Sequence, residues 1–212
     1  MPSDYRNTAY CPNLSELKAK KDKVVQMIAA DHPRARDMHT YISQNDKSYK
    51  DSFMEAYNRK CAYCGVSLQI IPRAMFEIDH VIYEKSPKFS RSKANAGYID
   101  NLVLACHFCN HSKQGFEIPD DQLGKLHPDS EEITNVFVRD ETFYIQIDEA
   151  YQSNQSIQEF YKKINFSSEL HRIDYLLMNM MGLVKKMEEK HQDPTSLHNA
   201  IRLLQTKRNI IG

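Results

Sequence analysis

Apolar positions in the first sixty residues recur with a helical period. Leu14, Leu17, Val24, Val25 and Ile28 share one side of a helix expected over 14–30, with Asn13-x-x-Glu16 as a capping box at its start and Pro33 ending it. Two shorter helices are expected over 34–43 and 47–59, the second placing Phe53, Met54 and Tyr57 together. The pattern then changes. Residues 60–113 hold short apolar runs with little helical period, and 66–71 and 75–82 read as strands. A polar loop, EKSPKFSRSKANAGY (84–98), separates them from a helix start at 109–113. Alternation of Val136, Val138, Phe143, Ile145 and Ile147 across Arg-Asp-Glu-Thr predicts a β-hairpin within 133–147. Helices follow over 154–163, 167–190 and 195–208, the last opened by Asp193-Pro194. Ile173, Leu176, Leu177, Met180, Met181 and Val184 form an apolar stripe suited to core packing or to a partner.

Composition narrows the setting. The chain has 212 residues, 41% of them hydrophobic, and a formal net charge of zero. No apolar run approaches the roughly 20 residues of a membrane span, and no signal-peptide core opens the chain, so a soluble, cytoplasmic protein is expected. Charge is unevenly spread: residues 114–160 carry 2 basic against 11 acidic residues, whereas 1–113 carry 17 against 12. A polyanion would approach the middle of the chain and avoid the stretch after it. Only six glycines occur, which favours helices.

Cysteine spacing adds chemistry. Cys61-x-x-Cys64 and Cys106-x-x-Cys109 are two matched pairs, and in a reducing compartment such pairs read as ligands of one structural Zn²⁺. The 41 residues between the pairs exceed a zinc-ribbon spacing, so something is built inside the loop. Cys11 is left over as a bystander. Within the frame, Asp79 and His80 end an apolar run and supply a hard oxygen ligand beside a base that works near neutral pH. Asn110 and His111 follow the last cysteine directly, so that a zinc-bound Cys109 would fix Asn110 at a helix start facing Asp79.

These residues resemble a known family. Cys61-x-x-Cys64, Glu77-Ile78-Asp79-His80, Asn101-Leu102 and Cys106-x-x-Cys109-Asn110-x-x-Lys113 look like the HNH endonuclease motif with an embedded zinc site, over roughly 59–115. The resemblance implies an α+β fold: a ββα-metal core with a four-cysteine zinc site, embedded in mostly helical extensions (1–58 and 116–212) plus the hairpin. It implies that Asp79 and Asn110, with His111 as the alternative, bind a catalytic Mg²⁺ or Mn²⁺. His80 would be the general base, and Asn101 would hold the loop and orient the His80 ring. Lys113, with Lys88, Arg91 and Lys93 of the polar loop, would contact nucleic-acid phosphates. Gly97 is the single glycine where the family often has Pro and Gly-Gly. His107, between two zinc ligands, is read as a surface residue or one that supports the ligands from behind, and His32, His39, His127, His171, His191 and His198 as bland.

In arrangement the chain is also similar to stand-alone prokaryotic phage-defence HNH nucleases of the Septu type, encoded beside an ATPase. The segments concerned are HPDSEEI (127–133), HRIDYLL (171–177) and LLQTKRN (203–209). The expectation is therefore a DNA endonuclease with an ATPase partner. An RNA endonuclease using the same site and a non-catalytic zinc-binding interaction module are the alternatives.

Overall fold

The computed structural model describes residues 4–11, 13–44, 48–90 and 92–211. The fold is α+β. In chain order the elements are α1 (Leu17–Asp31), α2 (Met38–Ile42), α3 (Ser48–Ala56), β1 (Phe76–His80), α4 (Lys93–Ala96), β2 (Leu102–Cys106) and α5 (His107–Lys113). There follow α6 (Leu123–Leu126), α7 (Ile133–Val136), β3 (Phe137–Arg139), β4 (Ile145–Ile147), α8 (Gln155–Ile164), α9 (Glu169–Glu189) and α10 (Thr195–Ile211). β1 pairs antiparallel with β2, from Phe76 opposite Cys106 to His80 opposite Leu102, and β2 runs directly into α5. This ββα unit sits in a core cluster whose buried members run from Tyr5 to Phe166. No helix among the described residues is long and apolar enough to cross a membrane.

Several local expectations are corrected. Residues 66–71 form no strand; only Ser67 bridges to Lys60, and Ile70 and Ile71 turn back to the Ser67 carbonyl. The true partner of β1 is β2, which is buried along its whole length and so shows no polar alternation to mark it. Glu16 precedes α1 in a left-handed conformation (φ 51°) with no side-chain cap, so Asn13 and Glu16 form no capping box. The hairpin is confined to β3 and β4, because residues 133–136 close into a helical turn instead.

Buried polar groups fasten the flanking regions to the ββα unit. Lys21 of α1, only 2% exposed, donates to the Leu102 carbonyl (2.9 Å) and to Asp129 (2.7 Å). The Tyr57 hydroxyl reaches the same carboxylate at 2.9 Å. Asp129 belongs to the HPDSEEI segment, which therefore serves the fold from within, neutralising a lysine that caps the start of β2. Arg6 is likewise buried and donates to the carbonyls of Ala62 (2.8 Å) and Pro128 (2.7 Å). Its own carbonyl lies against Gly65, where φ is +82° and an added Cβ would lie 2.3 Å from that oxygen. Gly65→Ala is expected to cost about 3 kcal/mol or more, combining left-handed strain with the clash, as read by urea unfolding. A variant as stable as wild type would contradict this.

The stripe on α9 is core. Ile173, Leu177 and Val184 are buried with Ile201 of α10, and Met180 and Met181 pack against them. HRIDYLL and LLQTKRN meet across this helix pair: Arg208 Nε donates to Asp174 at 2.5 Å, and Lys207 pairs with Glu169 just before the first segment. Burial of His171 pushes its imidazole down to about 4. Its unfolded value is about 6.5, so the unfolded chain takes up a proton first as pH falls. Stability from this residue is thus complete above pH 6.5 and declines between 6.5 and 4, by about 3 kcal/mol in total. Urea midpoints of wild type and His171→Leu should diverge over that window; parallel curves would exclude the effect.

Candidate functional site

Cys61, Cys64, Cys106 and Cys109 converge with their sulfurs all within 4.8 Å of one another, and each is at most 3% exposed. Local geometry explains the convergence. Cys61 and Cys64 flank a tight turn closed by Gly65 N–H to Cys61 O at 3.0 Å. Cys106 ends β2 and Cys109 lies in the first turn of α5. Cys64 Sγ and Cys106 Sγ lie 3.8 Å apart, far beyond a disulfide bond of about 2.05 Å. That spacing matches the edge of a tetrahedron with metal–sulfur bonds of about 2.3 Å. The donor set therefore fits Zn²⁺. Without a cation, burial pushes the Cys64 and Cys109 thiols up, and metal binding would displace their protons.

A cleft of about 360 Å³ opens beside this frame, where β1 faces α5. Its lining includes Glu77, Asp79 and His80 from β1 and His107, Asn110, His111 and Lys113 from α5. Asp79 is 7% exposed; it accepts from the Tyr63 hydroxyl (2.6 Å) and from Lys113 Nζ (3.2 Å). Burial pushes its carboxyl up from the ordinary value, and Lys113 and Tyr63 draw it back only in part. Glu77 bridges two residues of α5: it accepts from Asn110 Nδ2 and shares a 2.7 Å hydrogen bond with His107 Nδ1. His111 is exposed, stacks on His107 at 5.4 Å and meets Gln114 at 3.3 Å.

Asn101 is 1% exposed, and its side chain works on the loop. Oδ1 accepts from Ile82 N–H (2.8 Å), while Nδ2 donates to the carbonyls of Ile82 (3.0 Å) and Ala96 (2.9 Å). Those bonds use both amide protons, so Asn101 closes the excursion between β1 and β2 through backbone groups of Ile82 and Ala96.

Residues 61–115, the span containing the cysteine frame and the cleft, match a family model described as HNH endonuclease. This segment is therefore similar to HNH nuclease domains. No curated protein and no solved structure matches the chain.

Within the matched segment the expected phosphate-contacting cations prove unlike one another. Lys113 is corrected: it is 2% exposed, and besides Asp79 it donates to the His80 carbonyl at 2.6 Å. It points into the protein because its ammonium neutralises a buried carboxylate, which leaves it little surface to offer a nucleic-acid backbone. Lys88 pairs with Asp120 on the surface and does not line the cleft. Arg91 lies outside the described residues, and Lys93 is described only by its backbone, at the start of α4.

Tyr63, Glu77 and His107 are site residues to which the sequence pattern assigned no role. His39 is another. Its ring lies against that of His80, centroids 4.4 Å apart and tilted by 33°. Tyr63 fills a variable position of Cys61-x-x-Cys64 and His39 lies outside every motif, so no local pattern links either of them to Asp79 and His80.

Proposed function

We propose that the chain is a divalent-metal-dependent endonuclease that hydrolyses phosphodiester bonds in DNA, with its chemistry in 59–115 and with 1–58 and 116–212 as supporting regions. One observation carries this reading: Asp79, His80 and Asn110 line a single cleft beside a buried four-sulfur site. Asp79 and Asn110 offer the hard oxygen donors that suit Mg²⁺ or Mn²⁺, with Glu77 beside them. Exposure of His111, and its stack on His107, favour Asn110 as the ligand over His111. Such an ion would supply Lewis-acid stabilisation of charge on the phosphate and the departing oxygen.

The chain's own residues do the rest. His80 accepts a proton from water as the water oxygen bonds to phosphorus; the phosphorus–O3′ bond breaks and the departing O3′ takes a proton from solvent, leaving a 5′-phosphate and a 3′-hydroxyl. Lys113 and Tyr63 hold Asp79 in place, and Asn101 fixes the loop that follows His80. In this scheme Asn101 is a positioning residue, because its side chain bonds only backbone groups of Ile82 and Ala96.

Purified protein is incubated with supercoiled plasmid, single-stranded DNA or tRNA, in Mg²⁺, Mn²⁺ or EDTA. Metal-dependent plasmid cleavage is the expected result; cleavage of tRNA alone would move the substrate to RNA, and an inert wild type would leave a zinc-binding interaction module. The likeness to Septu-type nucleases extends the proposal to a defence role with an ATPase partner. Leu203 (69% exposed) and Ile210 (78%) on α10 give such a partner an apolar surface to cover. Recovery of an ATPase with the protein from its native host would support that extension, and a monomer active by itself would count against it.

A further inference from the structure

We propose that His39, delivered by the N-terminal helix α2, is a positioning residue that holds the His80 ring in its reactive orientation. The proposal rests on the nuclease function proposed above and adds to it a residue outside the matched segment 61–115.

α2 has only five residues, yet its placement is fixed from several sides. Asp37 caps it, accepting from Thr40 N–H (3.3 Å) and from the Thr40 hydroxyl (2.8 Å). Met38 N–H donates to the Gly97 carbonyl at 2.8 Å. Gly97 is the one position in the 84–98 loop without a side chain, and a Cβ there would lie 1.9 Å from Asp37 Oδ1. The glycine thus admits α2 against the loop that Asn101 closes. Met38 (8% exposed) and Ile42 (0%) bury the inner side of the helix. With α2 held this way, the His39 ring comes to rest 4.4 Å from that of His80.

This contact acts on the ring itself. The imidazole has two rotatable bonds, and a neighbouring ring that narrows its rotamers keeps a base aligned with its water for more of the time. His80 lines the cleft described above, whereas His39 lines an adjoining one of about 310 Å³ that shares Glu77, Ile78 and Asn110. A flat ring at 4.4 Å restricts rotation of its neighbour through ring contact alone, so an aromatic without ring nitrogens should serve nearly as well.

The test compares wild type, His39→Ala and His39→Phe in Mg²⁺ on whichever nucleic acid the wild type cleaves, reading kcat and KM separately. His39→Ala should lower kcat about tenfold with KM and melting temperature unchanged, and His39→Phe should restore kcat to within about threefold of wild type. The ring-proton NMR signals of His80 should move in His39→Ala and stay displaced by ring current in His39→Phe. An active wild type matched in kcat by His39→Ala would overturn this inference alone, as would a His39→Phe no better than His39→Ala, or a change confined to KM. A wild type inactive on every substrate would overturn the nuclease proposal and this inference with it.

Discussion

Replacing Cys109 with serine, or stripping the protein with a strong chelator, is expected to abolish the cooperative thermal transition of the segment that the cysteines frame. The four sulfurs lie within 4.8 Å of one another and tie the 61–65 turn to the end of β2 and the start of α5. A structural zinc site contributes an apparent 10–16 kcal/mol in small zinc peptides, whereas whole domains are stable by only about 5–15 kcal/mol. Its loss should exceed the margin that burial and the Lys21–Asp129 and Arg6 contacts provide. Circular dichroism melting, with zinc measured by emission spectroscopy, checks this. A zinc-free protein that melts like the untreated one would show that the cysteines are only a packed cluster.

His80→Ala should behave in the opposite way. His80 is half-exposed at the end of β1, and truncating its ring opens no sealed cavity, so melting temperature and zinc content should stay at wild-type values. Cleavage should fall by about 10²–10⁴-fold in kcat, the usual contribution of a positioned general base. A well-folded variant that retains wild-type cleavage would remove His80 from the mechanism and return the cleft to a binding role. Taken together, the two variants separate a metal that makes the fold from a site that performs the reaction.

The sequence by itself determined the elements whose signals are local. Matched Cys-x-x-Cys spacings marked the four sulfurs that the fold brings together, and helical period marked α1, α3, α8, α9 and α10 within a few residues of their observed ends. Asp79, His80 and Asn110 stood out because each lies within a residue or two of an apolar run or of a cysteine pair. Tertiary structure alone decided the rest. β2 is covered on both faces, so its residues carry no alternation, and a weaker apolar run at 66–71 was read in its place. Lys113 was expected at phosphate because the motif carries a lysine there, but a lysine's direction is set by what it must neutralise, here the buried Asp79, 34 positions away. Glu77, though part of the quoted motif, had no role of its own until α5 folded His107 and Asn110 over it. His39 had no motif of its own, and it gains one only because Gly97, across the chain, leaves room for α2 to bring its ring to His80. Spacing and period are properties of neighbours in sequence, whereas burial, pairing and charge compensation belong to neighbours in space, and those are fixed only when the chain closes on itself.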